Sequence, residues 1–142
     1  MDDYDQQVAA IHAYNAPFYE QFAAWLAASG LSERTIRTHV ENVQFFADEF
    51  LTYYEPLRRV DEADVSDVGP FLSDWFLRKA VWSSPSAVRS TIASFKKFFR
   101  WMEQQGHMDA GAVAEILLDL KENRDKYIED AEAYEADLLS DW

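Results

Sequence analysis

The sequence predicts an all-α fold, and three observations lead to that prediction. The chain has 142 residues but only four Gly and four Pro, so few positions break a helix. It contains no Asn-Gly or Asp-Gly pair, the dipeptides typical of tight hairpins. Its apolar residues recur at steps of three and four, which is the helical period. With 49% hydrophobic residues, the chain can form a buried core despite its net charge of −13.

The first half of the chain predicts three helices. Residues 4–14 are weakly amphipathic, and a second helix is expected to begin near Pro17 and to end at Gly30, because proline suits a first helical turn and glycine a C-terminal stop. Ser32 is a good N-cap for a third helix, over residues 33–54. The predicted core stripe of that helix steps by four and three: Ile36, Val40, Val43, Ala47 and Phe50.

The second half predicts three more helices, separated by short breaks. The first covers residues 71–80, and Ser83-Ser84-Pro85 interrupts the chain after it. The next runs over about residues 86–105 and ends at Gly106. Its apolar positions again step by four and three: Val88, Ile92, Phe95, Phe99 and Met102.

The last predicted helix, residues 110–139, carries a heptad-like apolar seam with one polar interruption. The seam consists of Val113, Leu117, Leu120, Arg124, Tyr127, Ala131, Tyr134 and Leu138. A helix that packs on its own domain and a helix that pairs with a second copy would both show this pattern. Both alternatives therefore stay open.

Several classes of protein are disfavoured by composition. The longest unbroken apolar run, residues 22–28, is too short to cross a bilayer, and the N-terminus lacks the features of a signal peptide. We therefore expect a cytoplasmic protein with no membrane partner. The chain has no Cys, and its three histidines (His12, His39 and His107) lie on separate segments, so we expect no metal site and no cofactor.

The charge is distributed unevenly along the chain. Residues 1–74 hold 14 acidic and 4 basic residues, and residues 103–142 hold 12 and 3. Residues 75–102 contain no acidic residue and six basic ones: Arg78, Lys79, Arg89, Lys96, Lys97 and Arg100. On a helical wheel, Arg89, Lys96 and Arg100 fall within about 40° of one another beside the apolar face. Like charges placed this way require a partner, which can be phosphate or the protein's own acidic segments.

Three sequence blocks occur in an order that is familiar from one family. Residues 30–40 read GLSERTIRTHV, and residues 86–102 read SAVRSTIASFKKFFRWM, followed by Gly106. Between them, Val60-Asp61 and Asp64-Val65 lead to Phe71-Leu72. Over about residues 16–108 the chain resembles the N-terminal core-binding domain of tyrosine recombinases, also called phage integrases. It departs from the family pattern at His39, where tyrosine is usual.

The resemblance implies a SAM-like four-helix bundle that binds one face of duplex DNA. We therefore expect a core-binding domain over residues 1–108, including an N-terminal helical extension. Residues 109–142, an acidic C-terminal helix, depart from the family pattern. The positions that match the family's DNA-facing helices are Arg34, Arg37 and Thr38 on one helix and Ser86, Arg89, Lys96 and Arg100 on the other. Four of the seven lie within the acid-free window, which was identified from charge alone.

The catalytic domain of these recombinases is not expected in this chain. Its reaction requires a tyrosine nucleophile together with an Arg and His constellation, and residues 109–142 contain one Arg and no His. We therefore predict that the protein is not an enzyme.

Two functional hypotheses follow. The first is a non-catalytic DNA-binding module linked to DNA integration or site-specific recombination, which assists or competes with a full-length recombinase. Trp82, in the loop before the basic helix, is a further candidate contact to the DNA backbone. The second is a protein-interaction module whose helix 110–139 docks on a partner, on a second copy or on the protein's own basic stripe. We use basic stripe for the three cations that share one side of the helical wheel, Arg89, Lys96 and Arg100.

Overall fold

The computed structural model describes residues 3–140, and in that range it contains five helices and no strand. Helix α1 spans Asp3–Ala28, and α2 spans Glu33–Gln44 and continues as the π-helical turn Phe45–Phe50. Two 3-10 turns follow, Val60–Glu62 and Val65–Asp67. The remaining helices are α3 (residues 68–79), α4 (Pro85–Gln104) and α5 (Ala110–Ser140). The predicted all-α class is confirmed.

The chain divides into two compact units, the first ending at residue 63 and the second starting at residue 64. The first unit contains α1 and α2, and the second contains α3, α4 and α5. This division by contacts does not coincide with the domain boundary predicted after residue 108. That boundary, and the SAM-like arrangement of the helices, stay predictions.

Helix α1 is continuous through Pro17, so the predicted break before this residue is wrong. Proline inside a helix removes one backbone hydrogen bond and crowds the preceding turn. Packing outweighs that cost here, because Asn15 and Tyr19 are buried on either side of Pro17 and Phe22 and Leu26 continue the buried face. The predicted stop is confirmed, since Gly30 has a positive φ of 88°.

Helix α2 begins as predicted but buries a different face. The backbone N–H of Thr35 donates to Oγ of Ser32 at 3.2 Å, which confirms the N-cap. Within the predicted stripe only Val43, Ala47 and Phe50 are buried, whereas Ile36 and Val40 are half-buried. His39 and Phe46 complete the buried face instead. The helix ends near Phe50 rather than Tyr54.

The π-helical turn places a carboxylate, Asp48, inside the first unit. Its Oδ1 accepts hydrogen bonds from Nδ2 of Asn15 at 2.8 Å and from the hydroxyl of Tyr19 at 2.7 Å. Oδ1 of Asn15 accepts from the backbone N–H of Val60 at 2.9 Å, and Nε2 of His12 donates to the carbonyl oxygen of Asp48 at 2.8 Å. This network joins α1, α2 and the first 3-10 turn.

In the second unit, the helices before α5 agree closely with expectation. Helix α3 consists of Val68–Pro70, a π-helical turn Phe71–Trp75 and Phe76–Lys79, so it begins three residues before the prediction. Helix α4 starts one residue early, with Ser84 as its N-cap, and Gly106, at a φ of 75°, follows its end. Its buried side chains include all five predicted core positions: Val88, Ile92, Phe95, Phe99 and Met102.

Helix α5 packs within the second unit, along α4 and against α3. Its buried side chains are Val113, Ile116, Leu120, Tyr127, Ile128 and Ala131. Four of the eight predicted seam positions are thus buried within the second unit: Val113, Leu120, Tyr127 and Ala131. Tyr127 also donates a hydrogen bond to Asp119. At the seam's other positions, Leu117 and Tyr134 are half-buried, and Arg124 and Leu138 are exposed. No residue in the segment 132–140 is buried.

No helix in residues 3–140 is both long and apolar enough to span a membrane.

Replacing Asp48 with Ala removes the acceptor of two buried donors, the Asn15 amide and the Tyr19 hydroxyl. We expect the free energy of unfolding to fall by about 3 kcal/mol, since each unsatisfied buried donor costs about 1–3 kcal/mol. Urea unfolding followed by circular dichroism measures the change. Glu49→Ala, at the exposed neighbouring position, is the matched control and should stay within about 0.5 kcal/mol of the wild type. Equal effects of the two changes would contradict the role of Asp48.

The protein should lose stability at alkaline pH through Tyr19 and Tyr127. Burial raises the pKa of both hydroxyls above the ordinary value, and hydrogen bonds to Asp48 and Asp119 raise it further. A raised pKa contributes stability that is present below the unfolded value of about 10 and is lost as the pH rises above it. Urea unfolding at about pH 8 and pH 11 should show this loss, and Tyr19→Phe should make it smaller. An unchanged loss in that variant would contradict the assignment.

Candidate nucleic-acid interface

Helix α4 separates an apolar face from a basic one. Its aromatic side chains are buried, whereas its four cations lie on the remaining surface. Arg89 and Arg100 are exposed, and Lys96 and Lys97 are half-buried. Ala93, between Arg89 and Lys97 along the helix, is exposed and too small to screen them. The helix therefore presents the predicted cations outside its core contact.

Helix α5 adds a cation that the sequence analysis missed. Lys121 lines a groove of about 310 Å³ with Lys96 and Arg100 of α4, and we call it the α4–α5 groove. Its other lining residues are Ala114, Leu117 and Leu118. In sequence, Lys121 belongs to a strongly acidic helix, and only the register in which α5 packs on α4 brings it beside the basic stripe. The signal available in the sequence was the place of Leu120 in the predicted seam, because it sets the face of the helix on which Lys121 lies.

The groove cations have no acidic partner among residues 3–140. No carboxylate oxygen in that range lies within 4.0 Å of the side-chain nitrogens of Lys96, Arg100 or Lys121, and the same is true of Lys97. Arg89 is closest to neutralisation, with Nη2 at 3.9 Å from Oε1 of Glu132. The sequence left two partners open for the basic stripe, phosphate or the protein's own acidic segments. In the described residues, ion pairing between α5 and the stripe is limited to this long contact.

Arg78 contrasts with the groove cations because it is fully engaged. Its Nε and Nη2 donate to the two carboxylate oxygens of Asp74 at 2.9 and 3.0 Å. The hydrogen bonds from Arg78 lower the pKa of the Asp74 carboxyl, and the positive charge of Arg78 adds to the effect. Arg78 is thus a weaker candidate for phosphate contact than the sequence indicates.

The start of α4 carries the other predicted contacts of the second unit. Lys79 is exposed in the last turn of α3, and Ser86 is exposed in the first turn of α4. Trp82, in the loop between them, is 58% exposed, and its neighbour Val81 is 99% exposed. Exposed aromatic and apolar side chains beside cations are typical of surfaces that bind a partner.

Three predicted residues belong to the first unit, on α2. Arg34 and Arg37 are exposed, whereas the hydroxyl of Thr38 donates to the carbonyl oxygen of Arg34 at 3.1 Å. Arg37 borders a groove of about 470 Å³ whose apolar lining consists of Ala23, Ile36 and Val40. The half-burial of Ile36 and Val40 is explained by this groove, since they face it instead of the core.

The side chains of the α4–α5 groove are suited to binding an anion. His12 is bonded to the Asp48 carbonyl, His39 is buried, and the ring of His107 lies 5.6 Å from that of Trp101, so none of the three lines the α4–α5 groove. Across the part of the chain that the structure describes, no group of three or more His, Asp or Glu side chains is placed to hold a metal ion. The groove can hold anions through two primary amines and one guanidinium.

No protein-family model matches the chain, and no curated protein or solved structure matches it. The resemblance to the recombinase core-binding domain consequently rests on the sequence blocks alone.

Mutual repulsion among the groove cations should lower the free energy of unfolding. Lys121→Gln removes one unpartnered cation, whereas Lys126→Gln on the same helix breaks a pair with Asp130 at 2.8 Å. We expect Lys121→Gln to be the more stable variant by about 0.5 kcal/mol at low salt, and the difference to shrink at about 1 M salt. Urea unfolding at the two salt concentrations measures it. If Lys126→Gln is the more stable protein, Lys121 has a stabilising partner after all.

Proposed function

We propose that this chain is a non-catalytic module that binds duplex DNA through a cationic face. The face consists of Arg89, Lys96, Lys97 and Arg100 on α4 and Lys121 on α5. The observation that carries the proposal is the cluster of cations without acidic partners in the groove, in a chain with 26 acidic residues. An unneutralised cluster of this kind is the electrostatic feature that phosphate recognition requires.

The dimensions of the cationic face suit a DNA strand. Arg89 and Arg100 are separated by eleven residues, or about 16 Å along the helix. Over that length one strand of B-DNA presents about five phosphates. Lys96 and Arg100 are one turn apart, so both can contact the same strand. Phosphate contacts of this type set the position of the protein and carry no sequence information.

The remaining predicted residues have secondary roles in the proposal. Arg34 and Arg37 are candidates for contacts with base edges in the major groove, as the family resemblance implies. Thr38 is a weaker candidate because its hydroxyl is engaged within α2. At the start of α4, Lys79, Ser86 and Trp82 extend the surface available to the DNA backbone.

The acidic remainder of the protein limits how DNA can approach. A net charge of −13 repels phosphate everywhere except near the cationic face, so binding is oriented and modest in affinity. We further propose a cytoplasmic setting and a role in DNA integration or site-specific recombination, where the module assists or competes with a full-length recombinase. The recombination role rests on the resemblance and the DNA-binding role on the cations, so the two are separable.

Fluorescence anisotropy with a labelled random duplex of about 25 base pairs tests the proposal. With three or four phosphate contacts, affinity should fall about 40- to 150-fold between about 50 and 200 mM salt. The triple variant Arg89→Ala, Lys96→Ala, Arg100→Ala should abolish binding. The matched control is Arg124→Ala with Lys126→Ala, which removes two cations that already pair with Asp125 and Asp130.

Two results would overturn the proposal. One is binding that does not weaken with salt, and the other is binding that the triple variant leaves unchanged. Circular dichroism of each variant shows whether the helices remain folded, so that loss of affinity is not confused with unfolding.

A further inference from the structure

The α4–α5 groove has an apolar component that phosphate contact does not require. Leu118 is 54% exposed, Leu117 is half-buried and Ala114 is exposed, and all three line the groove beside its cations. An exposed leucine next to unneutralised cations suits an occupant that is acidic and apolar at once. A short acidic helix with leucine side chains has this chemistry.

The chain carries such a helix at its own end. The C-terminal segment, residues 132–140, continues α5 beyond its last buried residue, Ala131. It contains three acidic residues and no basic one, and near its end it carries Leu138 and Leu139, which are 52% and 67% exposed. The segment thus matches the groove in both charge and apolar character.

The segment cannot reach the groove of its own chain. Leu139 and Lys121 lie on one unbroken helix and are separated by 18 residues, which corresponds to about 27 Å along the axis. The contact therefore requires a second copy of the protein.

The helical period places the two halves of such a contact on one face. Eighteen residues make five turns, so Leu139 lies on the same side of α5 as Lys121, and Glu135 on the same side as Leu117. Two copies can consequently exchange segments about a two-fold axis, with α5 antiparallel to its counterpart and both grooves filled.

We propose that the C-terminal segment of one copy docks in the α4–α5 groove of a second copy. Leu139 packs against Leu117 and Leu118, and Glu135 approaches Lys121. A reciprocal exchange closes the dimer. Since Lys96 and Arg100 line the same groove, the dimer covers part of the cationic face. The association of two copies does not depend on the proposed function. The conclusion that the dimer competes with DNA does rest on it.

Sedimentation velocity over about 5–500 µM protein, at about 0.15 M salt, tests the association. The wild type should form dimers as concentration rises. Glu135→Lys should weaken dimerisation at least about tenfold, because the change acts in both contacts. Asp137→Lys is the matched control: it makes the same change of charge in the same segment, but on the opposite side of the helix. It should have the smaller effect.

A charge exchange makes the test specific. Lys121→Glu copies and Glu135→Lys copies should each be monomeric, since like charges meet in both contacts. A mixture of the two should form the heterodimer, in which each contact joins opposite charges. A monomeric wild type across the concentration range, or a Lys121→Glu variant that still dimerises, overturns the proposal.

The two proposals fail in different ways. Dimers without DNA binding would refute the proposed function and leave the exchange intact. DNA binding by a protein that stays monomeric would do the reverse.

Discussion

Burial of the aromatic face of α4 is the constraint on which the second unit depends. Three phenylalanines of α4 are fully buried or nearly so (Phe95, Phe98 and Phe99), and α5 contributes Ile116 and Leu120 to the same interior. Each such side chain contributes about 1.5–3 kcal/mol when it leaves water. Because that face must be covered, the cations of α4 lie on the remaining surface, and the register that covers it also brings Lys121 beside them.

The placement of charge in the second unit is selective. Arg78 is neutralised by Asp74 and Lys126 by Asp130, each within one turn of helix. In contrast, the carboxylates of α5 leave the groove cations without ion pairs in the described residues. Surface pairs are worth little, so their absence costs the fold little, and the unneutralised cations stay available to an anionic partner.

Local sequence signals predicted the helices, but they did not predict the features that depend on tertiary packing. Ser32, Gly30 and Gly106 define helix ends through short-range hydrogen bonds and backbone geometry, which the residue type alone indicates. Pro17 and Asp48 violate local rules. Burial of the residues around Pro17 outweighs the cost of the proline, and Asp48 is satisfied by Asn15 and Tyr19, which are distant from it in sequence. The cations of α4 were predictable because they share one helix, whereas adding Lys121 required the relative register of two helices.

Salt should shift the balance between the two proposed occupants of the α4–α5 groove. Under the proposed function, affinity for DNA should fall steeply with salt, since each phosphate contact releases counterions. The exchanged segment relies on one charge contact and on leucine packing, and salt screens only the charge. Screening also reduces the long-range repulsion between two copies of charge −13. High salt and high protein concentration therefore both favour the dimer, whereas low salt and dilution favour a monomer whose cations are accessible to DNA.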